Sequence, residues 1–148
     1  MSAKENLKLD EENFAAWNSH DVERALAVLS DNILWQDVGS PEPFHGKDAV
    51  RQYIQQWFSA WPDIQLKVTN RVITEDQLAG ELEFTGTNTV PLQLAPGAPA
   101  IPPTGKKVQG KGTYFVRFEG GKAVEVHTYP DMAGLLMQLG LMPIPGAA

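Results

Sequence analysis

The sequence predicts an α+β fold with helices packed on one face of a curved sheet, and three observations carry that prediction. Apolar residues recur at helical spacing up to Trp61 and again at the C-terminal end. From Ile64 the pattern changes to Val-, Thr- and aromatic-rich runs of strand length. The short turn signals "TEDQ" and "EGGK" join those runs as antiparallel hairpins. Helices first and a meander after them make one layer of helices on one layer of sheet.

In "NLKLDEENFAAWNSHD", Leu7, Phe14 and Trp17 keep a helical spacing, and the polar break from Asn18 to Asp21 ends the first helix. Asp21 caps a second helix in which Val22, Ala25, Leu26 and Leu29 form an apolar stripe. "NILWQDV" alternates as a short strand with Ile33, Trp35 and Asp37 on one face, so Asp37 stands at its end. The turn-rich "GSPEPFHG" follows. Val50, Ile54, Trp57, Phe58 and Trp61 then mark one face of a third helix, stopped by Pro62.

Four antiparallel strands are expected in "IQLKVTNRVI", "LAGELEFTGTNT", "KKVQGKGTYFVRF" and "KAVEVHTY". The segment "VPLQLAPGAPAIPPTG" is long and proline-rich, a lid or a stiff crossover. "MAGLLMQLG" is a short last helix, with Asp131 before it as an N-cap candidate and Gly140 as its C′ residue. Leu141, Met142 and Ile144 beyond it are expected to pack against the sheet or a partner subunit.

The whole 148-residue chain reads as one domain, long enough to bury roughly 70% of its unfolded surface. A net charge of −6, with the 12 Lys and Arg scattered, speaks against nucleic acid as a partner. No apolar run approaches membrane-spanning length and the N-terminus lacks a signal-like core, so a soluble, cytoplasmic protein is expected. With no cysteine there is no disulfide, thiolate nucleophile or thiolate metal site. His20, His45 and His127 form no ligand spacing, and GxSxG, GxxxxGK[ST] and GxGxxG are all missing. Neither a metal nor another cofactor is expected.

The segments "FHGKDAVRQYIQQWFSAWPDIQLKV", "FTGTNT" with "PPTGKKV", and "VRFEGGKAVEVHTYPDMAGLLMQLG" closely resemble the SnoaL-like polyketide cyclases of the nuclear transport factor two superfamily. The likeness runs from about Glu5 to Met142. It implies a cone-shaped α+β barrel of the cystatin-like kind, with the N-terminal helices on the concave face of a curved antiparallel sheet. It also implies a hydrophobic pocket within the cone for a small apolar ligand, and a homodimer formed through the outer face of the sheet.

In such cyclases an Asp near the end of the last strand is the general acid/base of an aldol closure, and Asp131 occupies the matching position. The alternative for Asp131 is to cap the last helix, which stabilises its anion and opposes that role. Tyr114 stands where several family members carry a substrate-binding histidine; a phenol can donate to an enolate oxygen but is a poor base at neutral pH. His127 stands where related sequences carry Trp, so no family role transfers to it. His127, Tyr129 and Glu125 share one strand face, either toward the pocket or, if Val124, Val126 and Thr128 face inward, on the outer sheet.

Asn88 shares a face with Leu82, Phe84 and Gly86, either offering its amide to the pocket or ending a hairpin. Asp37 is a second carboxylate candidate, or a turn former before "GSPEP". Trp17, Trp35, Phe44, Tyr53, Trp57 and Trp61 serve as pocket lining or as core. The leading expectation is a cofactor-independent cyclase, isomerase or lyase acting on a hydrophobic, polyketide-like carbonyl compound by proton abstraction. The alternative is the same cone as a binding or scaffold protein without turnover. Epoxide hydrolysis ranks last, because Arg117 alternates away from Tyr114 on its strand.

Overall fold

The computed structural model describes residues 2–93 and 97–146; positions 94–96 of the proline-rich segment lie outside the described residues. The elements in chain order are α1 (Ala3–Asn18), α2 (Val22–Ala27), β1 (Leu29–Asp37), β2 (Phe44–His45), α3 (Gly46–Ala60), β3 (Gln65–Ile73), β4 (Gln77–Thr87), β5 (Lys107–Glu119), β6 (Lys122–Pro130) and α4 (Met132–Gln138). The strands form one curved, unclosed sheet in the order β2-β1-β6-β5-β4-β3. Strands β3 to β6 make the expected antiparallel meander, while β1 joins it in parallel beside β6. None of the described helices is long and apolar enough to cross a membrane.

Caps set the helix ends. Ser2 and Glu5 close a reciprocal capping box on α1, and the Asp21 carboxylate accepts the Arg24 amide to start α2. The second helix is shorter than its apolar stripe suggests: Val28 caps its end, and Leu29 already opens β1 as a strand residue pairing with Ala123. A residue that completes a helical stripe is equally suited to a buried strand position, and pairing with β6 decides for the strand. The turn-rich "PFHG" likewise contributes the two-residue β2, paired with Leu34 and Trp35.

At the other end α4 finishes in a Schellman motif: Leu141 N–H donates to Leu136 O, Gly140 N–H to Met137 O, and Gly140 takes φ 76°. Leu141, Met142 and Ile144 do not pack on the sheet; they stay exposed in the monomer.

Two glycine–aromatic pairs shape the concave face. Gly80 lies opposite Tyr114, and Gly110 opposite Phe84, in the β4–β5 register. A Cβ on Gly80 would come within 2.4 Å of the Tyr114 ring, and one on Gly110 within 1.8 Å of Phe84. Each ring therefore lies across its neighbouring strand instead of standing upright, which leaves space above the sheet.

Two β-bulges decide which side chains face that space. Pairing shifts by one between Val68↔Leu82 and Asn70↔Glu81, so Arg71 turns toward α1 and Val72 outward, 65% exposed. A second shift, between Arg117↔Glu125 and Phe118↔Ala123, leaves both Ala123 and Val126 buried in the core.

Candidate active site

Helices α1 and α3 close over the concave face and leave a cavity of about 100 Å³ whose walls are mostly apolar. Trp17, Trp57, Phe84, Val116 and Phe118 contribute aromatic and aliphatic surface. Two carboxylates, Asp10 and Asp37, interrupt it, and each is held by a tyrosine hydroxyl.

Asp37 ends β1, only 6% exposed. Its Oδ1 accepts the Gly39 amide at 2.7 Å, and its Oδ2 accepts the Tyr53 hydroxyl at 2.6 Å and the Thr128 hydroxyl at 3.2 Å. Tyr53 comes from α3 and Thr128 from β6, so the site needs the helix laid over the sheet and the parallel β1–β6 pairing, in which Asp37 and Thr128 are opposite. Burial, and then the adjacent Asp37 charge, push the Tyr53 pKa up, so the phenol stays protonated and donates.

Asp10 projects from α1 and is 4% exposed. Its Oδ2 accepts both the Tyr114 hydroxyl and the Arg71 Nε–H, each at 2.7 Å. Burial pushes its pKa above the ordinary carboxylate value, although the hydrogen bonds from Tyr114 and Arg71 pull the other way. The Tyr114 phenol is itself pushed up, by burial first and then by the Asp10 charge. Gly80 permits this contact, because the Tyr114 ring crosses over its missing Cβ to reach α1.

The expected residues separate into four places. Trp17, Trp35, Tyr53, Trp57, Asp37 and Tyr114 all line the cavity. Asn88 is buried but serves the long loop: its Oδ1 accepts the Thr104 amide and hydroxyl at 2.7 and 2.8 Å, and its amide donates to Val90 O. His127 and Tyr129 stand on the outer face with Glu125, since Val126 and Thr128 face inward. There Glu125 binds Arg117 at 3.2 Å and approaches His127 at 3.4 Å.

Asp131 is exposed, and its Oδ1 accepts the Gly134 amide at 2.9 Å as the N-cap of α4. The cavity wall ends at the preceding residue, Pro130.

Asp10 and Asn13 line the cavity and Arg71 reaches it through Asp10, and sequence reasoning passed over all three. Asp10 carried a readable signal: it lies four residues before Phe14 and seven before Trp17, on the apolar side of the helix. Arg71 carried none, because strict alternation along β3 puts it on the outside and only the bulge turns it in.

Among the described residues no cluster of three or more His, Cys, Asp or Glu is placed to hold a metal ion. No curated protein matches the chain. Among solved structures, AclR from Streptomyces galilaeus, a candidate hydroxylase, is 27% identical; the match covers 97% of this chain and 100% of that one, with a TM-score of 0.80. TsrD from Streptomyces laurentii is 22% identical over 96% of this chain and 99% of its own, with a TM-score of 0.81. A SnoaL-like polyketide cyclase from Agrobacterium tumefaciens is 21% identical over 95% and 99%, with a TM-score of 0.74. The family model of the SnoaL-like polyketide cyclases matches residues 9–139, from the helix that carries Asp10 to the end of α4, and the chain belongs to that family.

Proposed function

We propose that this protein is a cofactor-independent enzyme that moves a proton on a hydrophobic, polyketide-like carbonyl compound, in an aldol-type cyclisation, an isomerisation or a related lyase step. One observation carries the reading: two carboxylates, each bound by a tyrosine hydroxyl, share the walls of an otherwise apolar cavity. Proton abstraction next to a carbonyl needs a base, and the developing enolate needs a donor.

Asp37 is the base. Three of the roughly four lone-pair positions of its carboxylate are taken, which leaves one for the substrate. Asp10 is the acid, because burial raises its affinity for a proton, and Tyr114, whose one O–H goes to Asp10 Oδ2, holds that carboxyl in place. Asp131 stays at its helix cap in this reading.

Turnover and binding measured together on polyketide-like esters and enones test this. Asp37→Asn and Asp10→Asn should each lower turnover by roughly 10²–10⁴-fold with binding retained. Full activity in both variants would defeat the assignment.

A second reading, ligand binding without turnover, is favoured by the fact that Asp10 and Asp37 already have partners and Asp131 is capped. It predicts saturable binding with no product from any member of the panel.

A homodimer through the outer sheet face belongs to the same proposal. Val72, Phe115 and Tyr129 expose apolar side chains there, with Phe115 edge-on to Tyr129 at 6.0 Å, beside the Arg117–Glu125–His127 network. Light scattering that shows only monomer at micromolar concentration would overturn it.

A further inference from the structure

Four buried side-chain polar atoms have no hydrogen-bond partner among the described residues: Asn6 Oδ1, Asn13 Oδ1, Ser30 Oγ and Trp35 Nε1. Asn6 and Ser30 lie away from the cavity, whereas Asn13 and Trp35 both wall it. Native proteins leave few buried polar atoms unpaired. Two of the four belong to residues that wall one apolar cavity, where a ligand can complete them.

The two are also complementary in kind. Trp35 Nε1 can only donate and Asn13 Oδ1 can only accept. Trp35 is 4% exposed and packs against Tyr53, with ring centroids 5.5 Å apart, so its indole is held beside the ring whose hydroxyl binds Asp37. Asn13 sits one turn along α1 from Asp10. The orphan donor thus lies on the Asp37 side of the cavity and the orphan acceptor on the Asp10 side.

We infer that the ligand is a hydroxy-carbonyl compound, whose carbonyl oxygen takes the Trp35 N–H while its hydroxyl donates to Asn13 Oδ1. This deepens the proposed function and rests on its cavity, but it concerns recognition and not the chemical step. The carbonyl at Trp35 places the adjacent C–H bonds on the side where Asp37 stands. The cavity of about 100 Å³ is below the ~300–1,000 Å³ of pockets for drug-sized ligands, so single-ring compounds are the suitable probes.

The test is a set of binding titrations with ethylbenzene, acetophenone, para-ethylphenol and the three isomers of hydroxyacetophenone, on the wild type, Trp35→Phe and Asn13→Leu. In the wild type one hydroxyacetophenone isomer should bind roughly tenfold more tightly than acetophenone or ethylphenol. Trp35→Phe should erase the preference of acetophenone over ethylbenzene, and Asn13→Leu that of ethylphenol over ethylbenzene, each ratio being read within one variant.

A wild type that binds ethylbenzene as well as the polar probes overturns the inference and leaves the cavity standing. A wild type that binds none of them overturns both. Variants that weaken every probe by the same factor overturn it too, because they reveal packing alone. Should either variant fail to fold, the wild-type series still decides, and turnover assays judge the catalytic reading separately.

Discussion

Asp37 and Asp131 are nearly the same local object in two different surroundings. Each stands at the end of a strand, and each has one oxygen that accepts a backbone amide just ahead in the chain, Gly39 at 2.7 Å and Gly134 at 2.9 Å. The second oxygen separates them. At Asp37 it is covered by α3 and β6, which supply the Tyr53 and Thr128 hydroxyls; Asp131 is exposed. A turn or cap thus holds a carboxylate in place without deciding whether it can meet a ligand, and the element laid over it makes that decision.

The largest test of this contrast is stability after truncation. Asp37→Ala leaves the buried Tyr53 hydroxyl, the half-buried Thr128 hydroxyl and the Gly39 amide without their acceptor and should cost about 3 kcal/mol in urea melts. Asp131→Ala should cost only about 1 kcal/mol, the worth of an N-cap. Equal losses would mean that the two sites are energetically alike.

Between these lies Gly80→Ala, which extends the comparison to the third carboxylate. Its Cβ would meet the Tyr114 ring at 2.4 Å and push the hydroxyl off Asp10, at about 2 kcal/mol of overpacking. A neutral result would show that the ring crosses elsewhere.

A pH series sharpens the contrast further. Burial holds the folded-state pKa of Asp10 above its unfolded value, so native Asp10 retains its proton where the unfolded chain has lost it. The stability it contributes is complete below the unfolded value and is lost as pH rises through the folded one. The difference in unfolding free energy between wild type and Asp10→Asn should therefore fall with increasing pH across that window. A flat or rising difference would show that Arg71 and Tyr114 outweigh desolvation.

The smallest effect belongs to Gly134→Ala. Its Cβ would lie 2.3 Å from Asp131 Oδ2 and displace the cap, yet alanine returns about 1 kcal/mol of helix propensity. Net stability should change by less than about 0.5 kcal/mol in a thermal melt.

What could be read in advance follows the same division. The Trp35–Asp37 face, the end of α3 at Pro62, the β3 to β6 meander and the Gly140 cap all depend on neighbours within a few residues, and all were legible. The α2–β1 boundary was not, since Leu29 suits either element until β6 pairs with it. Nor was Arg71, because a bulge is an agreement between two strands and leaves no mark on either alone. Asp10 was half legible: its helical spacing placed it on the buried side, but nothing nearby in sequence named Tyr114 or Arg71 as its partners.

The sequence by itself determined the α+β order, the Asp21 and Gly140 caps and the family, because these rest on local propensity and on segments compared directly. Tertiary structure alone decided which carboxylates share a cavity. Asp10 meets Tyr114 across 104 residues and Asp37 meets Thr128 across 91, and contacts at that range exist only once the helices have closed over the sheet and water has been driven from between them.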